Sequence, residues 1–230
     1  MRLEWPWLCA VAAAASVFAN EARAQTKSRL AVLRDGEVRG RLDIGVARRE
    51  GTIYAVSALY VGKDILSRPA KKMKPVQRSY VELAEPGTLG KYKRWEVSGR
   101  IEHYYLVFAY EGKVKVRHEQ GAGGKADVRE LGKATGVVPL DPAQPHLAWL
   151  LVASSPAARE VPCANPQAFG RARVAPGGAG EVALQGQPRT ANRFEITGDC
   201  GTFTLWLAPS GELLVIESGA DRYERILSGP

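Results

Sequence analysis

The chain has 230 residues, with 32 Lys and Arg against 24 Asp and Glu, for a formal charge of +8. Apolar residues make up 45% and charged residues 24%, which is enough apolar surface to offset ordering entropy and excludes wholesale disorder. Composition also excludes collagen, coiled-coil and disulfide-dense scaffolds. Three Cys are too few for a metal-binding cysteine cluster, and past the N-terminus no run nears the ~20 apolar residues of a membrane-spanning helix.

Residues 1–24 read as a secretory signal peptide. Arg2 precedes an apolar run from Trp7 to Ala19, and Ala22-Arg23-Ala24 has the small-x-small pattern of a cleavage site. Cleavage after Ala24 removes two basic and two acidic residues, so the charge stays with the exported chain. Residues 25–230 are then expected to form a single β-rich periplasmic domain. Export also sets the reading of the cysteines. Cys9 leaves with the signal, and Cys163 and Cys200 remain in an oxidising compartment, where two Cys pair. That bridge closes a loop of about 38 residues, worth on the order of 3–4 kcal/mol in the chain-entropy account.

Along the exported chain, strand signals dominate: short alternating segments punctuated by Gly, Asp or Pro. Arg29–Asp35, Arg41–Arg48 and Thr52–Val61 come first, and the basic connector Lys63–Lys74 follows. Val76–Leu83 and Tyr92–Val97 are further strands. Ile101–Tyr110 and Lys113–Glu119 form the clearest hairpin, turning at Glu111-Gly112, and Gln120–Lys125 reads as a loop. One helix is expected over Ala143–Ala153, capped by Asp141 with Pro142 in its first turn. Six strands follow: Phe169–Val174, Glu181–Gln185, Arg193–Thr197, Thr202–Leu207, Leu213–Glu217 and Tyr223–Leu227, with Pro176–Gly180 as a turn. About a dozen strands and one helix, without a βαβ pattern, predict a mainly β fold. The expected architecture is a strongly curved antiparallel sheet, or an open or half barrel, with one short helix.

A two-residue turn at Glu111-Gly112 sets Tyr110 opposite Lys113, Phe108 opposite Lys115, Leu106 opposite Arg117 and Tyr104 opposite Glu119. One face of the hairpin then carries Tyr104, Leu106, Phe108 and Tyr110 beside Lys113, Lys115 and Arg117. The arrangement suits an amphiphile, with its apolar part on the ring column and an anionic head on the cations; it also suits Lys and Arg stems that simply cover the rings. The other face, with Val107, Ala109, Val114 and Val116, is the core side. There His118 opposes Tyr105, with His103 as its diagonal neighbour. Without an evident third ligand, the two imidazoles read as partly buried hydrogen-bonding groups, so no metal and no cofactor are expected. Gly121–Lys125 fails as a phosphate-binding loop, because Glu119 holds the first Gly position and Ala126 replaces Ser or Thr. No nucleophile elbow and no zinc-protease motif occur, and no paired carboxylates stand out.

Basic residues also cluster at Arg68, Lys71, Lys72, Lys74 and Arg78, and at Lys91, Lys93 and Arg94. An exported chain does not meet nucleic acid, so the partners these clusters suit are an anionic lipid or another anionic envelope ligand, with peripheral contact to an anionic membrane surface.

The segment Phe203–Glu217 (FTLWLAPSGELLVIE) has a central Trp206, a Pro-Ser-Gly turn and an apolar strand. With Leu33–Ala58, where Gly36 and Gly40 form a Gly-x-x-x-Gly return, and the Pro-rich connector and helix over Val138–Ser154, it is similar to a family of exported proteobacterial proteins of unknown function. The resemblance implies a curved antiparallel sheet or open barrel in the periplasm, with no established activity. The Cys163 and Cys200 pair is not part of it. The function expected from all of this is non-enzymatic binding of a hydrophobic or anionic envelope molecule. The alternative is a structural or protein-interaction module of the envelope, working through a sheet edge or the basic connector.

Overall fold

A computed structural model describes residues 26–227 apart from 63, 85–87 and 122–123. The signal-peptide reading of residues 1–24 lies outside the described residues. The strands are β1 (Thr26–Arg34), β2 (Glu37–Arg49), β3 (Thr52–Val61), β4 (Gln77–Ala84), β5 (Thr88–Ser98), β6 (Ile101–Tyr110), β7 (Lys113–Gln120) and β8 (Asp127–Lys133). The two-residue β9 (Val138–Pro139) and the helix α1 (His146–Ser154) come next. After them run β10 (Arg159–Ala164), β11 (Phe169–Leu184), β12 (Gln187–Gly198), β13 (Phe203–Leu207), β14 (Leu213–Ser218) and β15 (Asp221–Arg225).

All of these strands belong to one 15-stranded sheet in the order β8 to β1, then β15 to β9. Each half is a meander, and the first and last strands, β1 and β15, pair at the centre. Every ladder is antiparallel except the short β9–β10 pair. Mainly β, with one short helix and a large sheet not closed into a barrel, the fold agrees with the sequence expectation. Four tight hairpins turn on Asp35-Gly36, Glu50-Gly51, Glu111-Gly112 and Gln185-Gly186, all with positive φ at both central residues. That geometry matches the right-handed twist of the paired strands, and Gly is the residue that adopts it freely.

The sheet wraps its inner face around α1. His146–Val152 are all buried, as suits a helix that is apolar all round. Trp149, Leu150 and Leu151 join one cluster with Leu30, Leu42, Ile53, Val81, Tyr92, Val107 and Val116 from one half of the sheet and Val174, Ile196, Phe203, Leu205 and Ile216 from the other. The two halves of the sheet approach each other across this core. Leu89 donates its backbone N–H to the Val137 carbonyl at 2.7 Å. A Cβ on Gly132 of the edge strand β8 would stand 2.3 Å from the Phe169 ring, so glycine permits that approach. The Cys163–Cys200 disulfide, with Cα atoms 6.2 Å apart, ties β10 to the turn after β12.

The structure departs from the sequence reading in four places. The helix begins at His146, not Ala143, and Asp141 does not cap it; its Oδ1 accepts the Ala143 N–H at 2.9 Å in a preceding turn. Pro176–Gly180 is not a turn between two strands. It is a bulge inside β11, where the register against β12 shifts between Pro176 and Gly178. β10 forms where no strand was expected. β8 also forms, although its largely exposed side chains show no apolar alternation.

The outer face of the sheet is covered unevenly. Past its bulge, the β11–β12 hairpin folds over β13–β15, and Val182, Leu184 and Ala191 bury Leu214 and Val215 in a second cluster against Trp206. The connector between β3 and β4 covers the outer side of β2. There the buried Arg41 guanidinium donates to the carbonyls of Ile65 (3.2 Å) and Arg68 (2.7 Å). No such cover lies over the outer face of β4–β8 among the described residues.

Candidate functional site

The uncovered outer face is built by alternation. On β6, Val107 points into the core at 0% exposure while Leu106 and Phe108 stay half-buried on the other side. The β6–β7 register pairs Tyr110 with Lys113, Phe108 with Lys115, Leu106 with Arg117 and Tyr104 with Glu119. All seven residues singled out from the sequence therefore share one outward face, and Tyr110 is 52% exposed.

The meander adds a third column that the hairpin alone does not reveal. On β5, Lys91 opposes Phe108, Lys93 opposes Leu106 and Trp95 opposes Tyr104. β4 continues the rows with Glu82 beside Lys91, Tyr80 beside Lys93 and Arg78 beside Trp95. An apolar and aromatic column on β6 thus runs between two cationic columns. Neighbouring strands stand about 4.8 Å apart, so cations on β5 and β7 are about 10 Å from each other across the rings.

Some of these cations lie over rings: Lys115 over Tyr110 at 4.7 Å, Arg78 over Trp95 at 5.5 Å and Lys93 over Tyr80 at 6.0 Å. Here the charged heads themselves sit over the ring faces, as cation–π pairs do. Carboxylates sit at the margins. Lys113 pairs with Glu130 at 2.9 Å, Arg117 pairs with Glu119, and the Tyr104 hydroxyl donates to Glu102 at 2.6 Å. Lys91, Lys93 and Lys115 bracket the ring column, with Glu82 cross-strand from Lys91 and Glu130 cross-strand from Lys115. Burial first, and the like charge of Lys91 second, hold the Lys93 ammonium below its ordinary range.

Comparison with known protein families, curated proteins and solved structures finds no match to this chain. The arrangement of its own residues is what bears on function.

The inner face holds a second polar arrangement. One row crosses five strands there: Ser57, Ser79, Arg94, Tyr105 and His118. Arg94, grouped by sequence with Lys91 and Lys93, is on this face and 4% exposed. Strand alternation takes it out of the basic surface. Its Nη1 donates to Asp141 at 2.6 Å, and Asp141 also accepts the Tyr92 hydroxyl at 2.6 Å. The Arg94 guanidinium stacks over Tyr105 at 4.5 Å. Ser57 donates to Gln144 at 2.7 Å and pairs with Ser79 at 2.8 Å, and Ser79 lies 3.4 Å from His146 Nε2. These bonds fasten the segment leading into α1 to the sheet.

Burial lowers the pKa of His146 to about 3, so its imidazole is neutral. Ser79 and His146 lie inside the core, where no substrate reaches them, and their contact reads as structural. A hollow of about 420 Å³ opens beside Arg94, Asp141, Asn165, Asp199 and Cys200. The Arg94 charge at its floor is already matched by Asp141 and, at 3.4 Å, by Glu96. His103 and His118 stand at the rim of the same face, His103 Nδ1 being 3.1 Å from His118 Nε2.

Proposed function

We propose that this protein is a non-enzymatic component of the bacterial envelope that docks on anionic lipid through the outer face of β4–β7. The observation that carries the reading is an apolar column, Tyr104 to Tyr110, flanked by Lys91 and Lys93 on one side and Lys113, Lys115 and Arg117 on the other, on the part of the sheet the chain leaves uncovered. Aromatic and aliphatic groups suit the boundary between headgroups and acyl chains, and flanking ammonium and guanidinium groups suit the phosphates. Each cation near an anionic surface contributes about 1 kcal/mol. The interior is filled by α1, so the ligand lies against the sheet rather than inside it. Export, read from residues 1–24, places the protein where such lipids are.

The envelope-scaffold alternative would use the free edge of β8. That edge carries Asp127, Arg129, Glu130 and Lys133, charges of the kind that blunt edge-to-edge pairing, which favours the lipid reading.

Co-sedimentation with vesicles tests it. The protein is expected to pellet with phosphatidylglycerol vesicles, to stay in solution with phosphatidylcholine, and to lose binding in Phe108→Glu and in Lys115→Glu. Equal behaviour on both vesicles, or unchanged binding in both folded variants, overturns the reading.

A further inference from the structure

We propose that His103 and His118 form, with the carboxylate of Asp127, a site for one divalent transition-metal ion at the inner rim of the sheet. The site is independent of the lipid-docking face, which lies on the opposite side of the same strands.

The argument starts from the pairing. His103 on β6 and His118 on β7 are diagonal neighbours on the inward side. Their ring planes lie within 11° of parallel with centroids 5.4 Å apart, edge to edge, and Tyr105 stacks on His118 at 4.5 Å. His103 Nδ1 and His118 Nε2 are 3.1 Å apart, sharing one N–H···N hydrogen bond. Two imidazole nitrogens on one tetrahedral ion, each 2.0–2.1 Å from it, are about 3.3 Å apart. The pair therefore lies close to the spacing of two ligands; an ion 2.0–2.1 Å from each nitrogen sits off the N···N line, so the rings tilt out of their shared hydrogen bond to receive it.

The ligand missing from the sequence reading comes from the strand missing from it. β8 sets Asp127 directly opposite His118. Side chains so paired have Cβ atoms about 4.5–5.5 Å apart, within a rotamer change of contact. Asp127 is exposed at the first position of an edge strand. Glu96 lies across from His103, but it is held by Arg94 at 3.4 Å and by the Gln77 amide at 3.2 Å. Among the described residues no three His, Cys, Asp or Glu already gather as a metal site, so Asp127 turns in when the ion binds. Two imidazoles, one carboxylate and water make a set suited to Zn²⁺ or Cu²⁺, not to Mg²⁺ or Ca²⁺.

The protons balance. Each neutral ring carries one N–H. On binding, the proton between the rings moves through solvent to the remote nitrogen of its own ring, His103 Nε2 or His118 Nδ1. Both facing lone pairs are then open to the ion once the rings tilt, and two rings that start neutral release no net proton. Charged groups facing the pair are Glu96 and Asp127, which favour a bound cation, and Arg94 and Arg129, which oppose it; Arg94 is already matched by Asp141.

The chain has three His, and His146 is fully buried, which makes the test clean. The untagged full chain is titrated with Zn²⁺ and followed by the imidazole signals in NMR, then with Cu²⁺ and followed by EPR. The expected result is one ion per chain, movement of the His103 and His118 signals with His146 unmoved, and nitrogen hyperfine structure from two imidazoles. His103→Gln and His118→Gln each should weaken binding by about 100-fold, and Asp127→Asn by about tenfold. Zn²⁺ that leaves both ring signals unmoved in the wild-type protein overturns the proposal without any variant. So does Cu²⁺ bound equally well by the folded His103→Gln/His118→Gln double variant.

Discussion

Two regions of the outer sheet surface differ in who covers them. Over β13–β15 the chain folds its own β11–β12 hairpin back, and Leu214 and Val215 disappear beneath Val182 and Leu184. Over β4–β8 Leu106 and Phe108 stay half-buried, with cationic residues cross-strand on β5 and β7. The first region is a second small core. The second has the composition of an interface: rings at the centre, cations beside them, carboxylates at the margin. Burial on both sides of β14 follows from being sandwiched, whereas β6 keeps the one-sided alternation of a sheet with an open face.

Stability measurements can break this comparison most forcefully. Leu214→Ala removes a buried side chain from the covered region and should cost about 2–5 kcal/mol in chemical denaturation. If it costs next to nothing, the hairpin does not seal that region and the contrast fails.

Binding sharpens the other half. Changing Lys91, Lys93 and Lys115 together to Gln should lower affinity for anionic vesicles by about 100-fold, taking roughly 1 kcal/mol per charge. The thermal midpoint should hardly move, because surface substitutions of this kind change stability by about 0.5 kcal/mol or less. Lost stability with unchanged binding would reverse the assignment.

The interior that both regions share has its own signature. His146 is an ordinary titrating group in the unfolded chain, with a pKa near 6.5, and is held at about 3 in the fold. The unfolded state therefore binds the proton first, and stability is lost as pH falls from 6.5 toward 3. Between pH 8 and pH 5 this one group removes about 2 kcal/mol. His146→Gln should flatten that stretch of the profile while Leu214→Ala leaves its slope unchanged. An equal slope in His146→Gln would show that the residue is not buried as described.

The smallest expected effect is on the open face. Phe108→Ala should cost under about 1.5 kcal/mol, well below the 3–5 kcal/mol of a buried Phe. A loss of buried-Phe size would mean that Phe108 belongs to the core.

How much of this was legible in the sequence depended on local constraint. The β6–β7 register could be read because Glu111-Gly112 fixes a two-residue turn, and every pairing from Tyr110–Lys113 to Tyr104–Glu119 follows from it. The β5 column was not placed, because the turn at Gly99 fixes no register as plainly. Without register, Lys91, Lys93 and Arg94 look like one patch although Arg94 faces the core. β8 escaped because Asp127–Glu130 are exposed and carry no alternation. Its strand state comes from the ladder to β7, a tertiary effect. Pro176–Gly180 looked like a turn because Gly and Pro mark both turns and bulges, and only the continuing ladder to β12 tells them apart. Asp141 looked like a helix cap because nothing local announces that Arg94 and Tyr92 claim its carboxylate.

The most direct test of the central claim is lysine footprinting with an amine-reactive reagent, with and without phosphatidylglycerol vesicles. The account predicts that Lys91, Lys93 and Lys115 lose reactivity while Lys27, Lys71, Lys72 and Lys74 keep theirs. Protection centred on Lys71, Lys72 and Lys74, or spread evenly over the surface, would contradict it.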